Sequence, residues 1–532
     1  MAATLHSFKP TKYSVLYPRS MAGKPLLYFS CVLAALGDAL FGYSQGITAA
    51  FHVQPSFLHR MYHKDLSVQE IRKGATVINP FLIGVAVSMF REALFGSFGA
   101  AYLNDSLSPF IQMFAQNLSW LIAGRSFQGV GVGFLSMTVP LYQCEISPGH
   151  SRGKFVCIEY FFLNCGYMAS AWIGYAFYLD MPSEISWRGP YAVQAAFSLL
   201  LISMSFLLPE TPRWLIKNGF KTEGLWTLAD LHAGGDITDH VVTQTYHEIV
   251  DILEFEQLEG ANASWTELFT RYTKRTLIGF TAQMFAQLNG INAILHFLPE
   301  NLDRAGFTIA DSLLHSGGCA VLYCAGAIPS ILFIDKLGRR CFLLVGSVAL
   351  AVSLAVAGGL QFFVNSIPEG RHRHWGAEGI FCAFGVYLFI YGATWGPTPW
   401  LLGAEIFPTR ARAKGMAIAT ASDWFFNFVV GFITPPLFDE MPGGYYFLLV
   451  GACLLSFPAV FFFYPETAHG TLEELGEVFG DELPPRRPVE EEGKGEVQGG
   501  NRVNVGCLDV HRRSVASSEA TSTSDQEKIE GQ

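Results

Sequence analysis

Apolar runs long enough to cross a bilayer recur along this chain, and they restrict its fold more than any other feature. A helical span takes about 20 mostly apolar residues, and such runs occupy 26–50, 76–103, 124–145, 155–179 and 191–208, then 276–298, 313–334, 342–364, 380–403, 415–437 and 445–464. Backbone polar groups cannot stay unpaired in lipid, and these runs are too long for barrel strands, so they imply helices. The fold class expected is therefore an all-α polytopic membrane protein. Composition agrees: 50% of the 532 residues are hydrophobic and 15% charged, more apolar surface than a soluble core takes up. The first 25 residues lack the charged region, short apolar stretch and small-residue cleavage site of a secretory signal, so the first run is read as a span.

Charge is unevenly placed. Of the net −10, residues 210–275 supply −5 (11 acidic against 6 basic) and residues 481–532 supply −4 (11 against 7). The spans are near neutral, the acidity belongs to a loop and a tail, and no nucleic-acid partner is implied. The ten cysteines form no CxxC pair and no metal-ligand spacing, so no disulfide, metal or cofactor is expected. No nucleophile with a paired base and no phosphate-binding glycine loop is present, and an enzyme is not expected.

An internal repeat organises the chain. EISPGHSRGK at 145–154 and EIFPTRARAK at 405–414 agree at Glu, Ile, Pro, Arg and Lys, each directly after an apolar run. PETPRW and PETAHG follow, with Glu210 lying 65 residues beyond Glu145 and Glu466 lying 61 beyond Glu405. Two duplicated helix bundles, 26–208 and 276–464, joined by a cytosolic loop at 209–275, are the architecture of carriers that rock about a central site. Residues 1–25 form a cytosolic N-terminus in this reading. Residues 465–532 form a cytosolic, largely disordered tail, being rich in Glu, Gly, Pro, Ser and Thr. The repeat also exposes a gap: Asp335 of FIDKLGRR lies 70 residues before Glu405, whereas Asp105 of YLND lies 40 before Glu145. The third span is expected to be truncated, through loss in the gene or an exon skipped in translation. Arg91 and Glu92 interrupt the second run, and Asn117 in NLS is a glycan acceptor if it faces outward.

GRSFQGVGVGFLSMTVPLYQCEISPGHSRGK, PETPRW, QLNGIN, DKLGRR, WGPTPWLLGAEIFPTRARAKG and PETAHGTLEEL together resemble the signature set of major facilitator sugar porters, especially fungal monosaccharide transporters. The resemblance implies the major facilitator fold of two pseudo-symmetric six-helix bundles, cytosolic termini, a sugar site between the halves and alternating access. It also implies Gln287 and Asn292 as hydrogen-bond partners of sugar hydroxyls and Trp400 as the aromatic over the ring. Amides suit that chemistry, offering a donor and an acceptor without charge; the bland alternative is that they glue helices together. Asn289 and His296, the latter with Phe297 where the family has tyrosines, belong to the same candidate substrate site. Tyr160 stands where the family has a glutamine, and Asp423 where it has an asparagine. These departures leave the ligand a small polyhydroxylated molecule of open identity.

The repeated charges have a reading of their own. Glu145, Arg152, Glu210 and Arg213 in one half, and Asp335, Arg339, Arg340, Glu405, Arg412 and Glu466 in the other, stand at span ends and can interlock as a cytosolic gate. Positive-inside flanking would explain the Arg and Lys but not the repeated Glu. For energy coupling, proton-coupled relatives have FGYDxG where this chain has FGYSQG, so Ser44 leaves Arg125 without that partner. Asp38 and Glu159 are the other candidates for proton coupling, with Asp423 a third intramembrane carboxylate. The expected function is monosaccharide transport by a monomer in the plasma membrane, by facilitated diffusion in preference to proton symport. The alternatives are a nutrient-sensing receptor or a transport-defective product.

Overall fold

The computed structural model describes residues 19–51, 54–62, 107–148, 151–179, 183–258, 263–368, 371–468 and 479–480. The expected span at 76–103 with Arg91 and Glu92, the YLND motif, residues 1–18, the end of PETAHG and the tail from 481 lie outside the described residues. The described residues contain no β-strand and fall within one compact unit, residues 1–484.

In the first half the helices are α1 (Lys24–Phe51), α2 (Pro55–Tyr62), α3 (Leu118–Ile146), α4 (Arg152–Tyr178) and α5 (Ile185–Ser205). The connecting region is also helical: α6 (Pro212–Lys217), α7 (Lys221–His232), α8 (His240–Leu258) and α9 (Trp265–Thr270). The second half comprises α10 (Thr273–Leu288), α11 (Ile291–Leu295), α12 (Leu298–Ala305), α13 (Ile309–Leu337), α14 (Arg339–Ser366), α15 (Arg371–Ala393), α16 (Pro397–Glu405), α17 (Thr409–Glu440) and α18 (Gly444–Phe463). At 1.5 Å per residue, α1, α3 and α4 each reach about 40 Å, the thickness of a bilayer with its headgroups. Among the described residues, six helices combine the length and apolar composition needed to cross a membrane. The outside of the bundle is apolar where water would be costly: Val345, Leu455 and Phe462 are 60%, 65% and 69% exposed.

Local sequence explains the departures from the apolar runs. α3 begins at Leu118, six residues before its run, because the Asn117 side chain accepts the Trp120 N–H at 2.9 Å and caps the helix. Upstream, 107–113 is helical before the turn at Phe114; the stretch between Asp105 and Arg125, expected to hold the shortened third span, is thus divided between this helical piece and the start of α3, and the residues before it lie outside the described ones. Two runs read as continuous spans are broken. The first parts α10 from α11 at Asn289 and Gly290, the glycine standing at φ 99°, and α11 from α12 at His296 and Phe297. The second parts into α15 and α16 at 394–396, ahead of Pro397, which carries no N–H to continue the ladder.

Close approach sets the packing of the first half. A Cβ at Gly42 would sit 1.9 Å from the Leu163 carbonyl oxygen, and one at Gly166 would sit 1.8 Å from that of Ala39, so α1 and α4 run side by side in backbone contact. Across the halves, α4 packs on α13, and α3 packs on α16 and α17. On the α4–α13 seam, the Tyr160 and Tyr323 hydroxyls share a 2.5 Å hydrogen bond, Asn164 donates to the Tyr323 carbonyl at 3.2 Å, and the sulfurs of Cys165 and Cys324 lie 3.3 Å apart. The largest apolar cluster spans both halves, joining Phe41, Val132 and Tyr167 to Ile294, Leu298 and Trp424. The connecting helices are pinned to the bundle ends: Arg410 meets Glu267 at 2.5 Å, Lys414 donates to the Ala263 carbonyl at 2.6 Å, and Gly23 donates to the Asp230 carbonyl at 2.6 Å. Glu267 also closes a capping box with Ser264; bonds from the Ser264 backbone, outweighing some desolvation, hold its carboxyl below the usual range.

Candidate functional site

The break between α10 and α11 brings three of the candidate substrate residues together. Gln287 ends α10 and Asn292 lies on α11, where its amide donates to the Gln287 side-chain oxygen; the Gln287 amide donates in turn to Asp423 of α17 at 2.7 Å. All three are buried. An interrupted helix frees backbone carbonyls, and α15 takes them up: the Tyr387 hydroxyl donates to the Asn289 carbonyl at 2.9 Å and that of Tyr391 to the Ala286 carbonyl at 3.1 Å. Both amide atoms of the buried Asn289 side chain lack a hydrogen-bond partner. Sequence reasoning missed the two tyrosines; their i, i+4 spacing opposite a glycine-interrupted run was the available signal.

The other candidates divide between two cavities. One, of about 50 Å³, is lined by Phe41, Ser44, Gln45, Arg125, Gln128, His296, Phe297, Trp424 and Asn427, among others, and has room for a few waters. Here Arg125 donates to the Ser44 carbonyl and to Gln128, both at 3.2 Å, while the Ser44 hydroxyl turns back to the Phe41 carbonyl at 2.8 Å. The second cavity, of about 10 Å³, is lined by Asp38, Ser136, Glu159, Tyr160, Pro397 and Trp400, among others. Trp400 therefore borders Tyr160 and the two carboxyls, on the far side of Phe41 from Arg125. Tyr160 is already engaged by Tyr323, and its ring lies against Gly396, where a Cβ would meet its hydroxyl at 2.4 Å.

The repeated charges meet at one end of the bundle. Arg339 grips Glu405 with two nitrogens, at 2.8 and 3.2 Å, and reaches Asp335 at 3.1 Å. Thr467 donates to Glu405 at 2.8 Å, and Glu466 accepts the backbone N–H of Arg339 at 2.9 Å and of Arg340 at 3.1 Å. The remaining contacts cross between halves. Arg152 lies 3.9 Å from Glu405, Arg412 lies 4.0 Å from Glu145, and Asp335 accepts the backbone N–H of Gly153 at 3.1 Å and of Lys154 at 2.8 Å. Asp335 of α13 thus caps the N-terminus of α4, where a helix leaves unpaired donors and partial positive charge. Arg213 is buried. Glu210 follows α5, where burial first and the Glu145 carboxylate second push its carboxyl up to about 7, against a smaller pull from the Thr211 backbone.

Comparison with known proteins places this geometry. The family model described as sugar (and other) transporter matches residues 30–479. The MFS glucose transporter mfs1 of Aspergillus flavus is 30% identical over 488 residues, spanning 87% of this chain and 92% of that one. The galactose transporter of Saccharomyces cerevisiae is 30% identical over 479 residues, 86% of this chain and 81% of that one. Among solved structures, the proton:xylose symporter XylE bound to 6-bromo-6-deoxy-D-glucose superposes with a TM-score of 0.73 at 23% identity, over 85% of this chain and 99% of that one. The fold is therefore that of the major facilitators. The chain belongs to the sugar (and other) transporter family, multi-pass membrane transporters rather than enzymes.

Proposed function

We propose that this protein carries a monosaccharide, or a similar small polyhydroxylated solute, across the membrane by alternating access. The observation that carries the reading is the Gln287–Asn292–Asp423 cluster, buried at a helix break in the second half. Discontinuous helices mark binding sites in carriers of this architecture, and the relatives named above for glucose and galactose support a sugar as the ligand. A hydroxyl-rich solute entering the cluster would exchange amide–amide bonds for amide–hydroxyl bonds, losing little hydrogen-bond energy while its ring covers Trp400. In this reading the ion-pair layer faces the cytosol of a plasma-membrane monomer and is shut, with residues 209–275 and the tail on the same side. Arg125 is bonded to a carbonyl and to Gln128, and no carboxylate stands among the described residues lining its cavity, which favours facilitated diffusion as far as that position is concerned.

The test is uptake of labelled glucose, galactose and xylose by yeast cells lacking hexose carriers. Saturable uptake is expected, with Asn292→Ala lowering kcat/KM about tenfold for each buried hydrogen bond lost. No saturable uptake of any sugar, with the protein at the cell surface, overturns the proposal.

A further inference from the structure

We propose that Asp38 and Glu159 form a proton-binding pair on the seam between the halves, holding one shared proton while the ion-pair layer is shut and exchanging it with water when the halves part. The inference goes beyond the sugar-carrier reading and rests on it only for the transport arm of its test.

The pair is built by the backbone. Contact of α1 with α4 at Gly42 and Gly166 brings the two helices together, and Asp38 and Glu159 line the same small cavity. Two carboxylates sharing so small a buried space repel, a cost relieved when one of them carries a proton. Asp38 and Glu159 are 4% and 3% exposed. Oδ1 of Asp38 and Oε2 of Glu159 have no hydrogen-bond partner, and both residues line the cavity of about 10 Å³, space for about one water. A buried pair with unpartnered oxygens facing a water-sized space is arranged to bind a small ligand, and a proton with its water is what fits.

Among the described residues, none beside the pair supplies a counter-charge. The titratable groups facing the pair are the thiols of Cys144 on α3 and Cys157 on α4, and the hydroxyl of Tyr160. From α16 come Pro397 and Trp400; α5 has no charged residue from Tyr191 to Ser205; α13 presents Tyr323, held by Tyr160. From the ion-pair layer beyond, Arg152, Arg339, Glu405 and Arg412 face Cys144, and Asp335, Arg339 and Glu405 face Cys157. Two like charges in contact in such a site cannot both form at tolerable cost, which is why one proton stays. Conformation enters because the cavity wall belongs to both halves: α1, α3 and α4 supply one side, Pro397 and Trp400 the other. Parting the halves draws that wall away and admits water, to which the proton leaves as hydronium; closing without the proton would strand two charges. Trp400, the aromatic assigned to the sugar ring, is the shared wall, so occupancy by solute and by proton is linked through one side chain.

Infrared spectroscopy of the purified protein at neutral pH tests the pair without any substrate. A protonated-carboxyl carbonyl band is expected, and one group's intensity should vanish in the double variant Asp38→Asn/Glu159→Gln, which leaves no carboxyl at this place on the seam. Unchanged intensity in the double variant overturns the proposal. In the transport arm, wild-type uptake should vary with pH by up to about tenfold per unit, the limit for one proton. Glu159→Gln, a fixed donor, should flatten that profile; a wild-type profile in this variant overturns the coupling. Should the variants not fold, sugar added to unbuffered wild-type proteoliposomes gives a further reading. Uptake or release of up to one proton per carrier supports the pair, and no proton change with a sugar that binds overturns it. Failure of every sugar to bind sinks the carrier reading alone, since the infrared band is read without sugar.

Discussion

The two copies of the repeated motif contribute the same Glu and the same Arg to the ion-pair layer, yet the layer does not treat them alike. Glu405 is held by two nitrogens of Arg339, by Thr467 and, more loosely, by Arg152. Glu145 has Arg412 at 4.0 Å, an Oε2 atom with no hydrogen bond, and the second carboxyl of Glu210 nearby. The second half brings its own DKLGRR arginine to its glutamate. The counterpart segment of the first half lies outside the described residues and carries no such motif in sequence. The difference teaches that the contacts joining the halves in this layer lean on the second half: its Asp335 caps α4 of the first half, and its Arg339 pairs with the carboxylate that Arg152 of the first half approaches.

The largest effect expected from this asymmetry is at Arg339. Arg339→Gln strands Glu405 in a buried site and should cost about 3 kcal/mol or more of stability, read as a lower thermal midpoint in detergent. Arg412→Gln, which removes a partner at 4.0 Å, should cost about 1 kcal/mol. Equal losses in the two variants would break the comparison. Next comes Asp335→Asn, which keeps the shape of the α4 cap but weakens a charge-assisted bond, shifting the carrier toward the state open on this side by about 2 kcal/mol. Cys144 and Cys157, both buried beneath the layer, are native reporters. Their alkylation in membranes should quicken about tenfold or more in the variant, and an unchanged rate would remove Asp335 from the gate.

The smallest effect is a pH dependence that Glu210 contributes from the end of the first half. The Glu210 carboxyl is raised to about 7 in the folded protein and titrates near its ordinary value when unfolded. Between those values the folded state binds the extra proton, so the contribution is full at low pH and is lost as pH rises toward 7. The window should carry about 1 kcal/mol, discounted for partial exposure. Glu210→Gln should flatten the fall in thermal midpoint between pH 5 and 7.5 relative to wild type; an identical slope would show that Glu210 does not set it.

Much of this was legible in the sequence, because both bilayer spans and repeats are local patterns. The apolar runs foretold α1, α4, α13, α14 and α18 within a few residues, and the repeat singled out the charges that meet in the layer. Other features depend on which helices touch, and periodicity does not report that. Asp38 and Glu159 lie 121 positions apart in sequence and meet because glycines on α1 and α4 remove the side chains that would hold the helices apart. Tyr160, read as a pocket residue, spends its hydroxyl on Tyr323, a pairing no local pattern announces. The helix breaks were hidden for a different reason: hydropathy is blind to backbone geometry, and the run through QLNGIN stays apolar across a glycine that turns the chain at φ 99°.

The crossed pairing of the layer has a consequence in symmetry. The glutamate of each motif faces the arginine of the other, Glu145 with Arg412 and Glu405 with Arg152. That is the contact rule of a two-fold isologous interface, in which residue i of one subunit meets residue j of its twin, and j meets i. The layer is laid out as the interface of a symmetric homodimer would be, but within one chain, where each copy can change alone and the second holds most of the grip.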